Sequence, residues 1–137
     1  MNGATQGGDR ENTRSQPSEH RLGVGNVNRL TVKWALTTAG DVSATPAVDA
    51  DTVYVPDWAS YLYAVNRSNG NVRWSVYLPS VTGVPMDKAR ATPALGDGKV
   101  IVGTQGSILA GGGPGGQVLA FGKATGALVW RTQADSP

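Results

Sequence analysis

The 137-residue chain contains no cysteine, which excludes disulfides, thiol catalysis, covalent haem attachment and cysteine-ligated metals within it. Histidine is reduced to one, His20 in a polar stretch, and a single imidazole cannot build a metal site alone. Charge is also scarce. A net charge of +2, with no basic cluster, is too small to imply nucleic acid or a membrane surface as a partner. No apolar run approaches the roughly 20 residues of a transmembrane helix. The polar start, Met1–Asp9, lacks the basic and apolar regions of a secretory signal. The expectation from that start alone is a cytoplasmic protein or a true N-terminus beyond this sequence. No segment sustains a 3.6-residue period, which disfavours a helical solenoid.

Glycine and proline are abundant, at 19 and 8 residues, and 39% of the chain is hydrophobic, as in a globular, turn-rich strand protein. Two stretches share one skeleton. Ala64, Gly70 and Trp74 have the same spacing as Ala120, Gly126 and Trp130, and Ala44-Thr-Pro-Ala47 recurs as Ala91-Thr-Pro-Ala94, 47 residues on. A repeat of this length implies a repeat architecture.

Each repeat reads as four short strands. In the first they are Ala44–Val48, Thr52–Pro56, Tyr61–Asn66 and Val72–Tyr77; in the second, Ala91–Leu95, Val100–Val102, Gln117–Phe121 and Leu128–Thr132. Asp49-Ala-Asp51, Arg67–Gly70, Gly96-Asp-Gly98 and Lys123–Gly126 supply the turns. Before the first repeat, Leu30, Val32, Trp34 and Leu36 alternate as in a half-buried strand. Four-stranded units of this length are propeller blades. The expected fold is therefore all-β, a propeller segment of about two four-stranded antiparallel blades plus one closing strand. Its parts are a flexible polar lead (1–20), a closing-strand region (21–41), blade 1 (42–78), a loop into blade 2 (79–90) and blade 2 (91–134). Propellers have typically four to eight blades, so the chain reads as an N-terminal piece, about a quarter of an eight-bladed ring, with the remaining blades as its partners.

The Ala…Gly…Trp segments resemble the tryptophan-docking motifs of quinoprotein dehydrogenases that bind pyrroloquinoline quinone (PQQ). Asn66, Asn69, Gly122 and Thr125 stand at the motif's Asp and Thr positions, and Gly122 lacks the bracing side chain. Asn12-Thr-Arg14, Asn26-Val27, Leu30 and Trp34 resemble the start of the first blade; Val42–Val48, Val53–Trp58 and Leu62–Asn66 are most similar to polyvinyl alcohol dehydrogenase. The docking motif also occurs in non-enzymatic relatives, such as the propeller lipoprotein of outer-membrane assembly. The resemblance implies a structural docking role for Trp34, Trp74, Trp130, Gly70 and Gly126, the tryptophans lying flat between blades.

In a four-stranded meander, the loop between strands two and three shares an end with the loop into strand one. Asp57–Ser60, Gly103–Gly116, Thr38–Ser43 and Pro79–Arg90 therefore fall on one face, and elaborated loops mark the binding side of a repeat protein. Arg90 stands where the resemblance implies a contact to a quinone carboxylate, a role suited to a planar guanidinium; a surface charge pairing with Asp87 is the alternative. Asp57 and Trp58 read as an exposed turn carboxylate and a packing aromatic, with lining of the funnel as the alternative. Ser43, Val84 and Pro85 replace a family glutamate and cysteine pair. Gly111–Gly116 lacks the Lys-Ser/Thr of a phosphate loop and leads into a strand, so it reads as a flexible loop. Asp49-Ala-Asp51 lacks the later Gly and Glu of a calcium loop.

The resemblance thus implies part of a PQQ-dependent alcohol dehydrogenase, periplasmic, using calcium and a cytochrome acceptor, with no catalytic or metal-binding residue in this chain. The alternatives are a non-catalytic propeller scaffold or binding module, and a genuine short chain that assembles by blade pairing.

Overall fold

The computed structural model describes residues 13, 15–106 and 115–134. Residues 1–12, 14, 107–114 and 135–137, including most of the Gly111–Gly116 run, lie outside the described residues. Two four-stranded antiparallel sheets follow one another. The first contains β1 (Ala47–Val48), β2 (Thr52–Pro56), β3 (Tyr61–Asn66) and β4 (Val72–Tyr77), paired in chain order. The second repeats this with β5 (Ala94–Gly96), β6 (Lys99–Gly103), β7 (Gln117–Gly122) and β8 (Leu128–Gln133). Each sheet is one blade. The first strand of each is shorter than its sequence pattern predicts, because Pro46 and Pro93 have no N–H to give to a ladder. A bulge interrupts the ladder between the last two strands of both blades, between Ala64 and Val65 and between Ala120 and Phe121.

The turns between the last two strands close alike. Gly70 N–H donates to Asn66 O at 2.8 Å and Gly126 N–H to Gly122 O at 2.9 Å, and both glycines hold a positive φ, 77° and 72°. Asn66 Oδ1 braces its turn by accepting from Ser68 N and Oγ at 2.8 and 2.7 Å. Gly122 has no side chain to do this, yet the turn forms, with Thr125 Oγ1 accepting from Ala127 N at 3.3 Å.

One hydrophobic core joins the blades. Ala47, Tyr54, Leu62, Ala64 and Trp74 of blade 1 pack with Val100, Val102, Leu119 and Phe121 of blade 2, and Leu78 and Ala89 fill in from the connecting segment. That segment contains a short helix, α1 (Leu78–Thr82), which the sequence reading treats as loop. Pro79 suits its first turn, and Gly83 at φ 74° ends it by donating to Pro79 O at 3.0 Å. Arg131 of β8 donates to Val81 O and ties the helix to blade 2.

Two tryptophans seat on glycine turns. The Trp74 indole N–H donates to Lys123 O at 2.7 Å, and the ring lies so close to Gly126 that a Cβ there would sit 2.7 Å from it. Trp34 repeats the contact one blade earlier: its N–H donates to Arg67 O at 2.8 Å, and a Cβ on Gly70 would lie 2.8 Å from its ring. Trp130 has no such seat among the described residues and is 40% exposed, against 9% for Trp74.

The segment around Trp34 corrects the expected closing strand. Val27–Arg29 is a turn of 3₁₀ helix, and Leu30 to Thr38 joins no ladder. A strand exists only where a neighbour accepts its hydrogen bonds, and no described strand runs beside this one. Trp34 and Leu36 are half-buried, but Leu30 and Val32 stand in solvent.

Candidate functional site

The loop face is organised by a carboxylate. Asp57, at the end of β2, is fully buried, not the exposed turn residue its sequence context suggests. Its Oδ2 accepts from Gly40 N at 2.9 Å and from the Tyr63 hydroxyl at 3.2 Å, and its Oδ1 accepts from Tyr61 N at 2.8 Å. A buried carboxylate persists where donors replace its water, and three do so here. Burial, helped by the nearby Asp57 charge, raises the Tyr63 phenol above its ordinary value against the opposing Ala39 N–H. Gly40 is required at its position, since a Cβ would lie 2.4 Å from Ala59 N. The lead thereby becomes fixed to the β2–β3 loop, and Trp58 N–H adds a bond to Asp41 O at 2.9 Å.

This framework presents Trp58. Its ring is 40% exposed, so it is not the packing residue of the sequence reading. The indole N–H is held by Ser43 Oγ at 2.7 Å. Over the ring sits the Arg90 guanidinium, Cζ 4.4 Å from the centroid, with Lys88 Nζ at 5.7 Å. Lys88 also donates to Trp58 O at 3.1 Å. Each cation is drawn to the indole by cation–π attraction, and together they place two positive charges beside one ring.

Arg90 does not take up its alternative partner. Asp87 is fully buried and accepts from Gly106 N at 2.9 Å, while its other oxygen has no hydrogen-bond partner among the described residues. The two blades solve the same joint with opposite polarity. In blade 1 the carboxylate follows the second strand and bonds the incoming loop; in blade 2 it stands in the incoming loop and bonds the backbone beyond the second strand.

Of the residues singled out in the sequence, Arg90, Trp58 and Ser43 come together on this face, whereas Trp34, Trp74, Gly70 and Gly126 serve blade stacking. Lys88 and the organising role of Asp57 were missed. The Lys88-Ala-Arg90 spacing carried the signal for Lys88: in an extended segment, positions two apart share a side, and the Ala89 between them is buried. Chemically, the patch offers a flat aromatic surface with two cationic heads. It fits a carboxylate of an anionic ligand such as PQQ, or an acidic stretch of protein. Among the described residues, no three carboxylate or imidazole groups converge to hold calcium.

Comparison with known proteins places the chain. The family profile described as outer membrane protein assembly factor BamB matches residues 31–137. A curated BamB of Bordetella pertussis is 29% identical over 106 residues, covering 77% of this chain and 25% of the relative. Among solved structures, a europium-containing methanol dehydrogenase superposes with a TM-score of 0.64 at 20% identity, covering 78% of this chain and 20% of that one. A quinohemoprotein alcohol dehydrogenase, ADHIIG of Pseudomonas putida HK5, gives a TM-score of 0.53 at 30% identity, covering 63% and 12%. The chain spans about a quarter of the length of the curated relative. With two four-stranded blades of this fold and a profile match over most of its length, the chain is a β-propeller segment belonging to the outer membrane protein assembly factor BamB family, whose fold it shares with quinoprotein alcohol dehydrogenases.

Proposed function

We propose that the chain is part of a non-catalytic propeller module that acts in outer-membrane protein assembly, on the periplasmic side, by holding a protein partner on its loop face. The observation that carries this reading is Trp58: a large aromatic, 40% exposed, yet held by Ser43 and flanked by two cations. Rigid exposed Trp and Arg side chains are the residue types that dominate protein–protein binding energy. The cations select a partner segment with acidic character. Family membership supports the assembly role.

A second reading, a PQQ-dependent alcohol dehydrogenase resembling polyvinyl alcohol dehydrogenase, with calcium and a cytochrome acceptor, is favoured by Arg90. Its guanidinium carbon lies 4.4 Å from the Trp58 ring centroid, on the loop face, and a planar guanidinium pairs well with a carboxylate.

Two measurements separate the readings. A photo-crosslinking side chain in place of Trp58, in cells making the protein, should capture components of outer-membrane protein assembly, with yield falling in Arg90→Ala. Titration with PQQ plus calcium should give no binding. Tight quinone binding that weakens in Arg90→Ala, without assembly cross-links, would instead establish the second reading.

A further inference from the structure

The two docking turns are built alike and differ in the side chain before the glycine. In blade 2 that residue is Thr125, and its Oγ1 accepts from the N–H of Ala127, the residue beyond Gly126, at 3.3 Å. In blade 1 it is Asn69, and its Oδ1 accepts from the N–H of Asn71, beyond Gly70, at 2.9 Å. Both oxygens brace their turn. Only the asparagine adds an electrophile, the carboxamide carbon Cγ, which the next backbone nitrogen can attack. Gly70 supplies that nitrogen with no side chain to obstruct the approach. The Asn71 N–H already donates to the oxygen on which negative charge develops during such an attack, the arrangement that lowers the barrier to acyl transfer. Asn69 is exposed to water. That exposure does not depend on what borders blade 1, because Thr125 is also exposed at the joint where Trp74 is seated and blade 1 is in place.

We propose that Asn69 is a modification site that converts spontaneously to isoaspartate, and that the docking of Trp34 governs the conversion. The Gly70 nitrogen forms a bond to Asn69 Cγ, the Cγ–Nδ2 bond breaks, and ammonia leaves with the Gly70 amide proton. Water then opens the resulting succinimide. Cleavage at Cγ gives aspartate, and cleavage at the main-chain carbonyl gives isoaspartate, with the backbone rerouted through the side chain. Two contacts hold the reaction back. Gly70 N–H donates to Asn66 O at 2.8 Å, so the nucleophile is tied up in the closed turn. The Trp34 ring lies against Gly70, and its N–H is bonded to Arg67 O in the same turn. Freeing the Gly70 nitrogen therefore unseats Trp34. The isoaspartyl product carries an extra backbone carbon directly before Gly70, so the glycine and Arg67 O no longer keep the spacing that the indole needs. Release of the lead is one-way. The joint between the blades is exempt, because Thr125 has no carboxamide.

Timed incubation of the folded protein in mildly alkaline buffer tests this, with peptide mapping by mass spectrometry and labelling by an isoaspartate-specific methyltransferase. Mapping separates Asn69 from the chain's other Asn-Gly pair, Asn2-Gly3, which lies outside the described residues. The Asn69 peptide should gain about 1 Da and accept the label. Trp34→Ala should speed the conversion about tenfold, the worth of one hydrogen bond lost from the closed turn. Asn69→Thr, which installs the blade 2 residue, should abolish it and leave the fold intact. The Trp34 indole N–H, followed by hydrogen exchange in NMR, should lose protection in the aged wild type and keep it in aged Asn69→Thr. An Asn69 that stays an amide in the folded protein while it converts in urea overturns the proposal. Equal rates in wild type and Trp34→Ala overturn the control by Trp34. An indole that stays protected after isoaspartate has formed overturns the release of the lead.

Discussion

Replacing Asp57 with alanine would leave three buried or half-buried donors, Gly40 N–H, Tyr61 N–H and the Tyr63 hydroxyl, without their acceptor. Hydrogen bonds to a charged group are worth about 1.5–3 kcal/mol each, and some of the freed donors recover water. Asp57→Ala should therefore cost about 3 kcal/mol in urea denaturation, and it should also loosen Trp58, since the same loop positions both. A second prediction concerns Tyr54. Burial, and then the Asp49 carboxylate facing its hydroxyl, push this phenol up to about 12. In an unfolded chain it titrates near 10. A group raised in the folded state contributes stability that is fully present below the unfolded value and is lost as pH rises through the folded one. Stability should thus fall between about pH 10 and 12 as Tyr54 ionises in the unfolded state first. Tyr54→Phe should flatten that fall, read as thermal melting against pH with tyrosinate absorbance followed alongside. Asp49 acts in the opposite direction at acid pH. Burial opposes its ionisation, but Lys123 and the Thr52 and Asp51 N–H groups outweigh burial and hold its carboxyl below the usual range.

At the scale of elements, Gly126 is the hinge point of the blade joint. An added Cβ would meet the Trp74 ring at 2.7 Å, and the φ of 72° strains any other residue. Gly126→Ala should cost about 3 kcal/mol by combining strain with overpacking. Gly103→Ala, with open space around its Cβ position and no positive φ, should lie within about 0.5 kcal/mol of the wild type in the same chemical denaturation series. These elements were legible to different degrees. β2, β3 and β4 were readable to the residue because strong strand formers are bounded by turn residues on both sides, and that information is local. The Leu30–Leu36 alternation was equally clear, yet no strand forms there, because pairing is a non-local property that periodicity does not encode. Asp57 was unreadable for a related reason. A turn aspartate looks solvated in sequence, and its burial depends on Gly40 approaching from seventeen residues upstream. Arg90 was found as a loop-face cation, but its seat on Trp58 joins two loops that only the folded meander brings together.

The whole molecule is held by one core shared between two sheets, and Trp74 is its largest bridging side chain. It sits at 9% exposure, 6.0 Å from the Tyr54 ring, with its N–H committed to blade 2. No covalent cross-link supplements it, since the chain has no cysteine. Two blades so joined should unfold as one unit, because neither sheet can keep its inner face dry alone. Removing the ring tests that coupling. Trp74→Ala deletes a buried aromatic, a change that costs about 3–5 kcal/mol in well-packed cores. That is a large share of the roughly 5–15 kcal/mol that stabilises an ordinary domain. In native-state hydrogen exchange, the amides of β2 and β3 should share one opening free energy with those of β6 and β7 in the wild type, with β8, exposed along its whole length, the least protected strand. In Trp74→Ala the two pairs should separate, blade 2 opening before blade 1 because blade 1 keeps the Asp57 network and the Trp34 contact on its other face. Equal protection of both pairs in the variant would mean that the apolar contacts of Leu62, Val100 and Phe121 carry the coupling and that the docked indole only orients the blades.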